Sequence, residues 1–455
     1  MFRIFIFAFL FFIQGLAFAQ YHMPEENALH EGTWLQWPHN VLYGPWYQDD
    51  VEPTFIGMAQ ALEANEKVHI IALNATEQSR ITTVLTNAGV SLTNIDFQIY
   101  TTDDVWVRDN GPIFVYDSLD NLVILDWGFN GWGSDTPFSN CDVIPQSVSN
   151  DIGIPRIDLS AMVLEGGAIE HDGNGTMMAT RTSVTHSSRN PGLTEAQIED
   201  YMADYLGFTK FIWLDGVYGQ EITDMHIDGV MKFANDSTIV TMNNADLLYW
   251  GLTQPDIDTL FAATNTLGDS YNFITIPLTQ NDVSTTIGTN LGYKGSYANY
   301  YIANGTVLVP TYNDPNDAVA ISIIQSLYPN RTVVGIDVRN IYEYGGMIHC
   351  ITQQQPSSTE TSLEEFHDTR LDSKHYPSPY IDQMTVTYHL KKTATLTFSI
   401  HGANGDLIVE QIFDSVKEGE HNIEINKKLA PGMYTYTLKS STGEFNSEKF
   451  IVVRP

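Results

Sequence analysis

The chain of 455 residues is too long for one ordinary core, and its apolar (43%) and aromatic (12%) contents are ample for two globular domains. A formal net charge of -33 argues against nucleic acid as a partner and favours cationic ligands over anionic ones. The only cysteines are Cys141 and Cys350, so stability must come from packing, and a free thiol is available for chemistry.

Residues 1–19 read as a secretory signal peptide. Arg3 gives a basic start, Ile4 to Ile13 an unbroken apolar run, and Ala17-Phe18-Ala19 a small-x-small cleavage site that leaves Gln20 first. A membrane anchor is the alternative, but the run is short for a span. Beyond it, Phe55, Met58, Ala59 and Leu62 keep helical spacing, and "VHIIAL" (68–73) follows as a buried strand. A helix over 76–89 leads to a strand over 95–101. Helix 194–206, strands 237–243 and 306–312, helix 315–327 and strand 332–338 continue the alternation, which predicts an α/β fold for 20–353. No internal repeat is visible.

The polar, proline-bearing stretch 354–382 reads as a linker. From 383 to 455 the short alternating runs "TATLTFSI", "DLIVEQIF", "HNIEIN", "GMYTYTLKS" and "EKFIVV" predict a small C-terminal antiparallel β-sandwich. From 391 onward eight basic and eight acidic residues cancel, so the net negative charge lies upstream, where an active site is expected.

Candidate chemistry centres on Cys350 in "GGMIHCITQQQP" (345–356), a glycine-led polar setting unlike that of an inert core cysteine. In a strand its neighbour His349 would face the other way, so a working thiolate needs a base from elsewhere. "TDMHIDGVMKF" (223–233) puts His226 and Asp228 on one face if extended. "DDVWVRDNGPIFV" (103–115) puts Trp106 and Asp109 before an Asn-Gly-Pro turn, and "LEGGAI" (164–169) puts Glu165 before a glycine pair. Taken singly, each also reads as an inert cysteine, a core histidine, a capped turn or a surface acid. No CxxC or HExxH spacing appears, so no metal is expected. Taken together they suit a guanidinium: two carboxylates match its N–H fork, an indole supplies cation–π attraction, a thiolate attacks its carbon, and a histidine moves protons.

These segments, with "YHMPEENALHEGTWLQWPHN", "LDWGFNGWG", "LEGGAIEHDGNG", "HSSRNPGLT", "HIDGVMKF" and "SYANYYIANGTVLVP", resemble the agmatine deiminase and bacterial peptidylarginine deiminase family over nearly all of 21–356. The resemblance implies a five-bladed α/β propeller (the pentein fold) of ββαβ units. It makes Cys350 the nucleophile, His226 the general acid/base, Asp109 and Asp228 the guanidinium clamp, Trp106 a pocket wall, and Glu165 and Asn299 polar groups of the pocket. His349 becomes a supporting residue, and neither metal nor cofactor is implied.

Within that resemblance the loop "LDWGFNGWGSD" has no Arg or Lys to anchor a substrate carboxylate, which favours agmatine, converted to N-carbamoylputrescine. Ile222, where an acid is expected in many agmatine deiminases, and the export signal favour peptidylarginine or free arginine, converted to citrulline. Amidinotransfer and a non-catalytic surface binding protein are the remaining readings. The C-terminal end "LAPGMYTYTLKSSTGEFNSEKFIVVRP" resembles a type IX secretion sorting domain, which implies the secretion machinery as a partner and a secreted or outer-membrane-surface location. A carbohydrate-binding or adhesive sandwich is the alternative.

Overall fold

In the computed structural model, which describes residues 21–358, 371, 373–376, 380, 383–402, 407–441 and 445–453, the helical spacing around Phe55 becomes the helix Tyr47–Leu62. Its Val51, Phe55, Met58, Ala59 and Leu62 are buried. The helix Ala75–Asn87 starts where the Asn74 side chain accepts the Thr76 and Glu77 N–H groups. The helix Glu195–Leu206 has a reciprocal Thr194–Gln197 capping box and ends at Gly207, left-handed at φ 78°. The region read as a signal peptide, 1–19, lies outside the described residues.

The chain divides into two units, Met1–Thr359 and Glu360–Pro455. Five sheets are described in the first, and all five share a plan: an antiparallel pair, then a strand returning parallel after a helical connection. Thus Tyr301–Ala303 pairs antiparallel with Thr306–Thr311, and Thr332–Asp337 returns parallel to it after the helix Asp317–Leu327. Ile113–Asp117, Leu122–Gly128 and Arg156–Val163 repeat this. So do Ile169–His171, Thr176–Thr180 and Lys210–Leu214, and likewise Met231–Asn235, Thr238–Thr241 and Asn272–Thr275.

The fifth sheet joins distant parts of the chain. Gln353–Pro356 pairs antiparallel with His30–Gln36, setting Gln353 opposite Trp34, and Lys67–Ala72 and Ile95–Ile99 continue the sheet in parallel. Residues 354–356, at the start of the stretch read as a linker, therefore belong to a strand of the first unit. The largest apolar cluster lies under this sheet and its neighbour, and includes Phe55, Val68, Ile70, Tyr297, Val307 and Ile348. No helix among the described residues is long and apolar enough to cross a membrane.

The second unit contains two antiparallel sheets. One orders Ser373–Tyr376, Met384–Leu390 and Gly419–Ile425. The other orders Leu407–Val416, Ala394–Gly402, Gly432–Ser440 and Phe445–Val452. Val386, Tyr388, Phe398, Ile400, Tyr436, Leu438 and Phe450 from both sheets share one apolar cluster. Ser373–Tyr376 falls inside the predicted linker; "SKHY" is a short polar edge strand without the apolar alternation that marks a strand in sequence.

Candidate active site

The candidate residues occupy equivalent places in the topology. Asp109 lies in the one-turn helix Val107–Asn110, just before the strand Ile113–Asp117. Glu165 immediately precedes the turn Gly166–Ala168, which runs into Ile169–His171. His226 and Asp228 bracket the start of the turn Ile227–Gly229 before Met231–Asn235. Asn299 precedes Tyr301–Ala303, and Cys350 lies in the turn His349–Ile351 before Gln353–Pro356. The five turns that feed the five antiparallel pairs thus carry every polar candidate. His226 and Asp228 are not on an extended segment, as their spacing suggested; a 3-10 turn follows His226 and folds Asp228 back.

The glycine pair is what lets these turns meet. A Cβ on Gly166 would stand 2.3 Å from the Arg108 carbonyl oxygen. A Cβ on Gly167 would stand 2.7 Å from His226 Nδ1, 2.9 Å from Asp109 Oδ1 and 3.0 Å from Asp228 Oδ2. Three polar atoms from two other turns therefore converge on one glycine. The Gly167 N–H donates to Asp109 Oδ1 at 3.1 Å, and the Trp132 indole N–H donates to Asp109 Oδ2 at 3.0 Å.

Burial with Glu165 and Asp228 nearby pushes the Asp109 carboxyl up to about 6, against the pull of His226 and the Trp132 donor. His226 Nε2 lies 2.8 Å from Glu165 Oε2, and its Nδ1 lies 3.6 Å from Asp109 Oδ1. Burial opposes a charge on this imidazole, but Asp109, Glu165 and Asp228 outweigh it and raise His226 to about 9. Burial likewise opposes ionisation of Asp228, yet His349, whose Nδ1 is 2.8 Å from Asp228 Oδ2, holds this carboxyl below the usual range.

Cys350 Sγ stands 3.7 Å from Asp228 Oδ2 and 3.4 Å from Asn299 Nδ2. Asn299 is fixed in turn, because its Oδ1 accepts the His349 backbone N–H at 2.9 Å. Burial and the charges of Asp228 and Asp109 push the Cys350 thiol well above its ordinary value. Cys141 is buried elsewhere, accepting from Gln36 Nε2 and the Asp103 N–H, and its thiol is pushed up to about 12 by burial.

Trp106 is placed differently from the polar group. It packs over Gly346, where a Cβ would meet its ring at 2.1 Å, and it belongs to the largest apolar cluster. The indole that touches a site carboxylate is Trp132, within "LDWGFNGWG", to which the sequence alone assigned no role. Glu165 is fully buried behind His226, and its other oxygen accepts Arg189 Nε at 2.7 Å. His349 Nε2 reaches Glu26 Oε2 at 2.7 Å, and Glu26 and Glu170 hold the buried Lys232 ammonium at 3.0 and 2.9 Å. Arg189, Glu26 and Lys232 were all missed, because a buried ion pair between distant residues leaves no local pattern. Among the described residues no group of three or more His, Cys, Asp and Glu is arranged to hold a metal ion.

The Cys350 thiol, the His226 imidazole and the Asp109 and Asp228 carboxylates thus lie together beside Gly167. Residues 22–356 match the family described as Porphyromonas-type peptidyl-arginine deiminase, and residues 374–453 match the secretion system C-terminal sorting domain. A Streptomyces coelicolor protein named "Putative agmatine deiminase" is 34% identical over 353 residues, covering 74% of this chain and 99% of its own. A protein of the same name from Latilactobacillus sakei is 32% identical over 361 residues, covering 74% and 96%. The structure of the Enterococcus faecalis agmatine deiminase superposes with a TM-score of 0.65 at 26% identity, covering 75% of this chain and 97% of that one. The chain thus belongs to the Porphyromonas-type peptidyl-arginine deiminase family, as a hydrolase of guanidino C–N bonds with a secretion sorting domain at its C-terminal end.

Proposed function

We propose that the protein is an exported deiminase that uses Cys350 as nucleophile, His226 as general acid and base, and Asp109 and Asp228 as the guanidinium clamp. The convergence of His226 Nδ1, Asp109 Oδ1 and Asp228 Oδ2 on Gly167, beside the Cys350 thiol, carries this reading. As the cation binds between the carboxylates, its charge offsets theirs and the thiol loses its proton to solvent. The thiolate attacks the guanidinium carbon, and His226 gives its proton to the departing nitrogen, which leaves as ammonia and creates a thiouronium. Water then attacks the same carbon with neutral His226 taking its proton. The C–S bond breaks, the hydroxyl loses its proton to solvent, a ureido product leaves, and the thiolate is restored. Asn299 orients the thiol through its Nδ2. Trp106, against Gly346, walls the approach to Cys350. The five sheets of the first unit form the blades of a propeller whose axis carries this site, and the two sheets of the second unit form a sandwich.

The favoured substrate is agmatine, on the absence of Arg and Lys from the loop 125–135, which also carries Trp132. The sorting domain at 374–453 favours a second reading, in which an arginine-containing peptide outside the cell is the substrate. A competition assay separates them. The enzyme is given agmatine, free arginine, a C-terminal-arginine peptide and an internal-arginine peptide together, and mass spectrometry follows exchange of nitrogen for oxygen in each. Agmatine is expected to convert first, and Cys350→Ala is expected to convert nothing. Prior conversion of a peptide gives the second reading, and turnover by Cys350→Ala removes the mechanism.

A further inference from the structure

Immediately before His226, two consecutive non-glycine residues adopt left-handed backbone: Asp224 at φ 57° and Met225 at φ 73°. Such a conformation is strained for a residue with a Cβ and persists only where the surroundings over-determine it. Here they do. Asp224 Oδ1 accepts the Gly219 N–H at 2.7 Å, Thr182 Oγ1 donates to the Asp224 carbonyl at 2.7 Å, and Thr180 Oγ1 donates to the Met225 carbonyl at 2.8 Å. The central restraint is Arg189. Its Nη1 donates to Asp224 Oδ2 at 2.6 Å and its Nη2 to the Thr223 carbonyl at 3.1 Å, while its Nε donates to Glu165 Oε1 at 2.7 Å.

The Arg189 side chain is 0% exposed. One rigid planar fork therefore grips the loop that carries His226 and the carboxylate that His226 faces. Gly133, at φ 96°, completes the junction. A Cβ there would approach Arg189 Nη1 to 3.4 Å and Ser188 Cβ to 3.1 Å, so the turn bearing Trp132 packs on the same residue.

From this geometry we infer that Arg189 is the positioning residue of the proton-transfer pair, fixing Glu165 and the His226 backbone together so that Nε2 faces Glu165 and Nδ1 faces the clamp. The inference rests on the deiminase reading of the site. A lysine ammonium is a single point of charge and lacks the planar fork that holds Asp224, Thr223 and Glu165 together. The charge has a second effect. Asp109, Glu165 and Asp228 face His226, and Arg189 is the cation behind Glu165. Without it, the Glu165 charge acts on the imidazole uncompensated and favours the protonated ring. The neutral ring that must take a proton from water in the second half-reaction becomes scarcer.

Arg189→Gln and Arg189→Lys in the full chain test this, with agmatine and a C-terminal-arginine peptide as probes. Rates are expressed per folded chain, counted from the calorimetric unfolding enthalpy relative to wild type, so that only folded sites count. In Arg189→Gln the expected result is a kcat lower by about 100-fold, within the range that a positioned acid/base supplies, with KM nearly unchanged. Its alkaline limb is expected at higher pH than in wild type, and the thiouronium adduct is expected to accumulate in acid-quenched samples. Arg189→Lys, which keeps the charge but not the fork, is expected to lose about tenfold with its limb in place.

A wild-type kcat per site in either variant, or an unmoved limb in a folded Arg189→Gln, overturns the inference. If Arg189→Gln does not fold, the kcat of Arg189→Lys decides. Cys350→Ala and His226→Asn are measured alongside. Should these two turn over normally, the deiminase reading of the site fails. Should they be inactive while both Arg189 variants match wild type, only the role of Arg189 fails.

Discussion

The Cys350 thiol faces the Asp228 carboxylate at 3.7 Å, so the sulfur looks at a negative charge. That relationship favours the protonated thiol, and the proposed mechanism ties its ionisation to a bound cation. Alkylation of Cys350 by iodoacetamide is therefore expected to be slow at neutral pH and to accelerate into the alkaline range. Asp228→Asn removes one of the charges that raise the thiol, so faster alkylation at a fixed pH is expected. Equal rates in the two proteins would show that the Asp228 charge does not set the thiol. Cys141, pushed up to about 12, is an internal control that stays unmodified.

Activity should follow a bell in pH. The clamp needs Asp109 ionised, which fails as pH drops through about 6, and the acid step needs His226 protonated, which fails as pH climbs through about 9. A kcat/KM profile that stays flat across both limbs would detach these two groups from turnover.

Asp109→Asn and Asp228→Asn each remove half of a buried charged clamp, and each is expected to lower kcat/KM by about 100-fold or more, roughly 3 kcal/mol. Asp109→Asn is expected to melt at a higher temperature near neutral pH. The sign follows from the raised Asp109 carboxyl: the folded state holds this proton more tightly than the unfolded chain, so stability falls as pH rises from 3.8 to about 6. Asparagine removes that loss. Calorimetry showing a less stable Asp109→Asn would mean that the Trp132 and Gly167 donors outweigh the burial of charge.

Trp132→Phe keeps the ring and deletes one hydrogen bond to the ionised Asp109. The donor favours the carboxylate form, so its loss raises Asp109 further and moves the acid limb of kcat/KM upward. An acid limb at its wild-type position would limit Trp132 to packing.

Gly167→Ala removes no functional group. Its Cβ would stand within 3.0 Å of His226, Asp109 and Asp228 at once, so kcat/KM is expected to fall by about 100-fold while circular dichroism is unchanged. Near-normal turnover would mean that the three turns move apart without harm.

Much of this was legible in the chain. "VHIIAL" and "TVVGIDV" are apolar runs of strand length, and Phe55, Met58, Ala59 and Leu62 keep helical spacing, so the α/β alternation follows from periodicity alone. Cys350 stood out in its glycine-led polar run, Asp109 before an Asn-Gly-Pro turn, and His226 and Asp228 by their spacing two apart. The repeat behind them was not visible, because it lies in where each turn enters its sheet and not in residue identity. Arg189 was equally hidden, since 24 positions separate it from Glu165 and 35 from Asp224. The edge strand Ser373–Tyr376 carries polar residues that read as a connection.

The pairing of Gln353–Pro356 with His30–Gln36 also sets an order of assembly. A chain made from its N-terminus completes that sheet only when its last strand emerges, more than 300 residues after the first. The turn bearing Cys350 is anchored by that same late strand. The turns bearing Asp109 and His226 can be folded long before the thiol arrives, and no shorter nascent chain brings Cys350 against Asp228. Chemistry on the abundant guanidinium groups of the cell that makes it therefore waits for the final stretch of the catalytic unit.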